Sequence, residues 1–258
     1  MTELIAQLSQ ISGLAEGYVW LFGLVFLRVG AMVALFPALG EQVVPQRIKL
    51  AAAVSLTAIV APLAGTPEAL PQGLVLPLVA EAGTGLILGF GLRLMILGLQ
   101  SAGTIAAQSV SLAQMFAGTG PEPQPIVANL LVLAALALFV ATGGLARAAD
   151  LLAQSYQIVP PGQLSLAQGF TEWGLSRISS VFALAFTLAA PFVLAALLYN
   201  LALGAINRAM PQLMVSMVGA PALTFGALAL LAVVAPVLLS VWLGAFHDHL
   251  ADPFRGPP

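Results

Sequence analysis

The chain has 258 residues, of which 60% are hydrophobic and only 7% charged, with a formal net charge of -2 and a mean hydropathy of +1.03. A soluble domain carries about 25% charged residues, so this composition excludes an ordinary soluble enzyme, and the slight negative balance excludes a nucleic-acid footprint. There is no cysteine, which removes disulfides, thiolate metal sites and thiol nucleophiles together.

In chain order, residues 1–13 read as a short amphipathic helix. They hold Glu3 and no Lys or Arg, so no cleavable leader is expected. A long apolar run from Leu14 to Phe36 contains Arg28 and stops at Pro37. Residues 38–46, with Gly40 and Pro45, read as a turn. Ile48 to Leu63 is a second run, at the short end for a bilayer span, and a loop with Pro67 and Pro71 follows. The third run, Leu74 to Leu99, holds Glu81 and Arg93 along with Gly83, Gly85, Gly89 and Gly91, which let a neighbouring helix come close.

Ser101 to Gly120 loses the apolar character, mixing small residues with Gln and Ser, and ends in the Gly/Pro-rich stretch Gly118 to Pro125. From Gln108 to Pro125 it reads as a loop carrying Gln108, Leu112, Gln114, Met115 and Phe116. A charge-free fourth run covers Ile126 to Leu145. A mixed connector, Ala146 to Trp173, follows with its Pro160-Pro161-Gly162 break. The fifth run, Val181 to Ile206, contains Pro191. From Ala209 to Phe246, Pro211, Gly219, Pro221 and Pro236 predict a short re-entrant piece before a last long helix, and His247 to Pro258 reads as a polar tail. Runs of this length, rich in Ala and Leu and without period-two alternation, predict an all-α polytopic protein of proline- and glycine-broken helices. One domain, residues 1–258, accounts for the whole chain.

Few residues invite chemistry. No phosphate-binding loop, zincin helix or nucleophile elbow occurs, so neither catalysis, nor a cofactor, nor a metal is predicted; His247 and His249 read as a solvated pair in the tail. Arg28, Glu81 and Arg93 are costly, because a charge deep in hydrocarbon costs at least about 2.5 kcal/mol. They either line a polar space or pair, or else their helices are displaced so that the charges reach water. The Gln108–Pro125 segment is either an apolar plug, with Met and Phe as deformable seals, or an ordinary connector. Asn207-Arg208-x-x-Pro211-Gln212 is a polar island between charge-free runs, suited to a conduit wall, a partner contact or a membrane-edge loop.

A family resemblance ties these points together. Arg28, Pro37, Gly40, Pro45, Arg47 and Leu50, then Gln100, Gly103 and Gln108, then Ser155-Tyr156 with Pro160 and Gly162, and finally Asn207-Arg208-x-x-Pro211-Gln212 with Gly219 and Pro221, resemble the FliR family. These are export-gate proteins of flagellar and injectisome type III secretion, and the flagellar branch is the closer likeness. The resemblance implies a FliP-like part followed by a FliQ-like part, assembled with FliP-like and FliQ-like subunits. It also implies FlhB-like and FlhA-like partners and a place in the bacterial inner membrane at the flagellar basal body. The implied role is a conduit for unfolded export substrates, with Gln108, Leu112, Gln114, Met115 and Phe116 in the plug. Arg28, Glu81 and Arg93 are then expected to pair between subunits, and Pro37, Pro45, Pro191, Pro211 and Pro221 to bend hairpins. One departure lies in the loop, where Glu122-Pro123 stands in place of an Asp-Pro pair. The rival readings are an injectisome homologue, a small secondary transporter working through Glu81 and Arg93 at broken helices, and an intramembrane enzyme.

Overall fold

The computed structural model describes residues 2–65, 73, 75–115, 126–163, 170–209 and 215–253. Among them every regular element is helical. Helix α1 runs over Thr2–Leu35 and α2 over Gln46–Val60, continued by one 3-10 turn at Ala61–Leu63. Then come α3 (Val75–Met115), α4 (Ile126–Ala141), α5 (Gly144–Ile158), α6 (Phe170–Ala209) and α7 (Val215–Ala251). Five helices are long and apolar enough to cross a membrane, or six if α4 and α5 together count as one bent span.

The first turn forms because Pro37 cannot continue the ladder of α1. The chain folds back at once: Ala38 adopts a positive φ of 68°, and the Gly40 amide donates to the Phe36 carbonyl at 2.6 Å. A Cβ at Gly40 would lie 2.7 Å from that carbonyl oxygen, so only glycine fits.

The centre of the molecule is α3. At 1.5 Å per residue its 41 residues span about 60 Å, twice a hydrocarbon core of about 30 Å. Helices α1, α4, α6 and α7 all pack against it, and its small residues set the approach. Gly85 and Gly89 face α1, Gly98 faces Val181 of α6, and Gly103 faces Ala128 of α4. The aromatic part of the core closes the bundle: Phe139 packs 5.7 Å from Phe36 and 5.0 Å from Phe246 between ring centres, and Trp242 stands 5.0 Å from Phe246. The indole nitrogen of Trp242 donates to the Met95 carbonyl at 2.9 Å, satisfying the one polar atom that a buried Trp brings with it.

Several expectations change. Residues 2–13 belong to α1 and are not a separate helix. The segment read as a loop from Gln108 to Pro125 is helical as far as Met115, because Ala, Gln and Ser are tolerable helix formers once the apolar pattern has ended; residues 116–125 lie outside the described residues. Residues 144–158 of the connector form α5, bent 71° from α4 at Gly143, whose φ is 77°. Pro191 lies inside α6, and Pro221 and Pro236 lie inside α7, so no break separates a re-entrant piece within α7. Helix α7 also takes in the start of the predicted tail, and His249 is buried against α3.

Candidate functional site

The costliest residues of the sequence meet in one place. Arg28 sits in the middle of α1 and Glu81 in the second turn of α3, both fully buried. The guanidinium grips the carboxylate with two bonds, Nε to Oε2 at 2.8 Å and Nη2 to Oε1 at 2.9 Å. Arg28 Nη1 also donates to the Ser155 hydroxyl at 3.1 Å, and Nη2 to the Val159 carbonyl at 3.0 Å. Glu81 accepts from the Tyr156 hydroxyl at 3.2 Å and from the Gly162 amide at 2.8 Å. The guanidinium carbon lies 3.7 Å from the centre of the Tyr156 ring, a cation–π contact.

The local sequence explains the convergence. Glu81, Gly85 and Gly89 are spaced four apart and so share one face of α3. A Cβ at Gly85 would overlap the Arg28 carbonyl oxygen, and one at Gly89 would stand 2.8 Å from that of Met32. The two glycines bring the backbones together, and the ion pair sits on the same stripe, one turn along. Helix α5 is amphipathic. Its face Ala148, Leu151, Leu152, Ser155 and Tyr156 is buried, while Arg147, Asp150, Gln154 and Gln157 are exposed. Its buried end supplies the third wall.

A buried charge is tolerable when it is paired and its remaining hydrogen-bonding capacity is met. Here the charges are paired, and every side-chain nitrogen of Arg28 and both oxygens of Glu81 have at least one partner. Both Glu81 oxygens are engaged by two partners each, so the acceptor capacity of the carboxylate is used within the chain. Arg28 and Glu81 were expected to pair between subunits; they pair within the chain, because the glycine crossing leaves them side by side. Arg93 likewise bonds Glu41 within the chain, both about 30% exposed. Since α3 runs unbroken through Glu81 and Arg93, the broken-helix geometry required of a transporter is absent at these residues.

The remaining predicted residues lie apart from the node. Pro37 is buried in the first turn, Gly40 is half-buried, and Pro45 and Arg47 are exposed at the start of α2. Lys49 Nζ donates to the Gly40 carbonyl at 3.2 Å. Gln108 is exposed on α3, whose last turns carry Leu112, Gln114 and Met115; Phe116 lies outside the described residues. Asn207 and Arg208 are exposed at the end of α6. Pro211 and Gln212 lie outside the described residues, and Pro221 is within α7. Among the described residues no group of three His, Asp or Glu side chains could hold a metal ion.

Sequence reasoning assigned no role to Ser155, Tyr156, Val159 or Gly162, although three of them belong to the family pattern. A usable signal exists: a Ser-Tyr pair on the buried face of an amphipathic helix needs polar partners, and Arg28 and Glu81 needed the same. A second cluster was also missed. Where α6 begins and α7 ends, the Trp173 indole donates to the Pro253 carbonyl at 2.9 Å, and Arg177 reaches the Asp252 and Pro253 carbonyls at 3.3 and 3.2 Å. A cation is well placed at the carbonyls that end a helix.

The sequence matches the family described as bacterial export proteins, family 1, over residues 19–249. It is 32% identical to the flagellar biosynthetic protein FliR of Caulobacter vibrioides across 90% of this chain and 95% of that one. The FliR proteins of Pectobacterium carotovorum and Escherichia coli are 31% and 29% identical, across 88% and 87% of this chain and 90% and 85% of theirs.

Proposed function

This chain belongs to family 1 of the bacterial export proteins, and from that premise we propose that it is a multi-pass membrane subunit of the flagellar protein export apparatus. It forms part of the conduit through which unfolded substrates leave across the inner membrane, and it helps to keep that conduit shut at rest. The observation that carries the reading is the reach of the match: residues 19–249 take in part or all of each of the seven α-helices among the described residues. Exposed apolar side chains along α6 and α7, among them Phe182, Phe186, Leu198 and Phe225, support a subunit that is covered by lipid and by other proteins. It works there with FliP-like and FliQ-like subunits and with FlhB-like and FlhA-like proteins.

The closure lies in the segment from Gln108 through Phe116. Helix α3 carries this segment as far as Met115; Phe116 and the Pro/Gly-rich stretch 118–125 that follows lie outside the described residues. Co-expression tests the assembly. The tagged chain is extracted in detergent with and without the FliP-like and FliQ-like proteins of the same genome, and the particle is weighed. One large complex is expected; a well-behaved particle of this chain alone, indifferent to those proteins, sinks the proposal. Closure is tested by Met115→Ala with Phe116→Ala, which should raise the resting leak of ions and small solutes. Arg208→Ala should lower the yield of intact complex.

A further inference from the structure

The central helix is covered on every side but one. Gly85 and Gly89 receive α1, Gly91 receives His249 of α7, Gly98 receives α6 and Gly103 receives α4. What remains is a stripe of exposed residues along α3, and its chemistry changes partway. Leu86 and Phe90 are exposed at one end. Between Leu97 and Ser109 the exposed positions are Gln100 and Gln108, with the half-exposed Thr104 between them. Resting on the export reading above, we infer that this second part of the stripe is the surface on which the exported polypeptide slides.

Three observations carry the inference. An amide side chain without a partner is expensive in hydrocarbon, so Gln100 and Gln108 do not face acyl chains, whereas Leu86 and Phe90 can. Close helix partners in membranes meet over small residues, and α3 follows that rule: from residue 97 to 109 its glycines, Gly98 and Gly103, both lie on covered faces. At the exposed positions of the open stripe stand the long side chains of Gln100 and Gln108, with the smaller Thr104 half-exposed between them, which puts two long spacers where a close-packed helix meets small residues. No residue from Leu94 to Gln108 is charged. Uncharged amides and hydroxyls can exchange hydrogen bonds with the backbone of any extended chain and discriminate against neither sign of cargo charge. Gln100 to Gln108 covers about 12 Å of helix, matching about four residues of extended polypeptide.

The chain has no cysteine of its own, so single cysteines can be placed freely. The experiment uses the whole assembly in membranes, with an export substrate fused to a fast-folding domain that arrests it midway. That substrate carries one cysteine within the arrested stretch. Gln100→Cys and Gln108→Cys should form disulfides with the substrate several-fold more than Leu86→Cys and Phe90→Cys, and should react with a maleimide when no substrate is present. Adducts equal at all four positions, adducts stronger at 86 and 90, or disulfides from 100 and 108 to a neighbouring subunit alone would overturn the stripe and leave the export reading standing. If no arrested substrate is ever recovered with this chain, the export reading itself fails and the inference with it.

Discussion

Where α1 crosses α3, glycine lets the backbones touch and a bidentate ion pair with four further hydrogen bonds and a ring contact closes the seam. Where α6 meets α7, a cavity of about 260 Å3 is lined by Phe192, Ala195, Ala196, Tyr199, Gly226 and Leu230 among others. More than half of the apolar part of α3 is buried inside the chain, against 17% for that of α7. Lipid is as apolar as leucine, so apolar side chains alone give little drive for two helices to associate in it. The first crossing holds itself together through contacts that lipid cannot replace. The second has its polar contacts at one end, where Trp173 and Arg177 bond the carbonyls that follow α7, and leaves its apolar middle to whatever surrounds it. The difference predicts that one half of the chain is settled before assembly and that assembly completes the other.

The comparison breaks most directly at Glu81. Glu81→Ala leaves the Arg28 guanidinium buried without its counter-ion and strips Tyr156 and the Gly162 amide of their acceptor. Removing one partner of a buried pair costs about 3–5 kcal/mol, a large share of a stability of about 5–15 kcal/mol. The variant should therefore accumulate poorly in membranes and melt early in detergent. Arg28→Met with Glu81→Leu should recover much of that loss, since no uncompensated charge remains. Equal damage in the single and double variants would mean that shape and not charge holds the seam.

The sequence made the ingredients of that seam legible but not their meeting. Arg28 and Glu81 stand out as charges in apolar runs, and the glycines at 85 and 89 as a close-approach stripe. Their separation of 53 residues leaves no periodic signal to pair them, so the pairing was expected between subunits. Helix existence was legible from long Ala- and Leu-rich runs. Helix ends were not: Ser101 to Met115 loses apolar residues while keeping residues that helices accept, and Pro221 and Pro236 sit inside a helix whose neighbours along the chain are strongly apolar. Next to Asp248 and Asp252, His249 reads as part of a solvated tail. Its burial depends on Gly91, over 150 residues away, whose missing side chain leaves the space its ring occupies.

Gly85 gives a smaller and sharper test. A methyl group there would overlap the Arg28 carbonyl oxygen and stand 2.9 Å from the Ala31 Cβ, and a helix backbone cannot rotate out of its way. Overpacking of this kind costs about 1–3 kcal/mol, and the ion pair is pried apart with it. At Gly83, two positions away on the same helix, an added Cβ would meet nothing within 4 Å. Gly83→Ala should raise stability by about 0.8–1 kcal/mol through helix propensity alone. Melting of the two variants side by side in detergent separates crossing geometry from propensity. If both gain stability, the crossing is looser than the Gly85 contact implies.

The open half should respond in the opposite way, with the smallest effect on the chain itself. Phe186 and Leu198 on α6 are 62% and 68% exposed, so replacing both with Ser removes almost no contact within the chain. Surface changes of that kind stay within about 0.5 kcal/mol, and resistance to limited proteolysis in membranes lacking the other subunits should be unchanged. Recovery of the large complex should nevertheless fall, because these side chains are what a neighbouring subunit would cover. Normal recovery of the complex with the chain newly sensitive to protease would reverse the assignment. Lipid would then be the cover that α6 and α7 need, and the part of the subunit completed on assembly would have to be sought at the exposed Asn207–Arg208 end of α6.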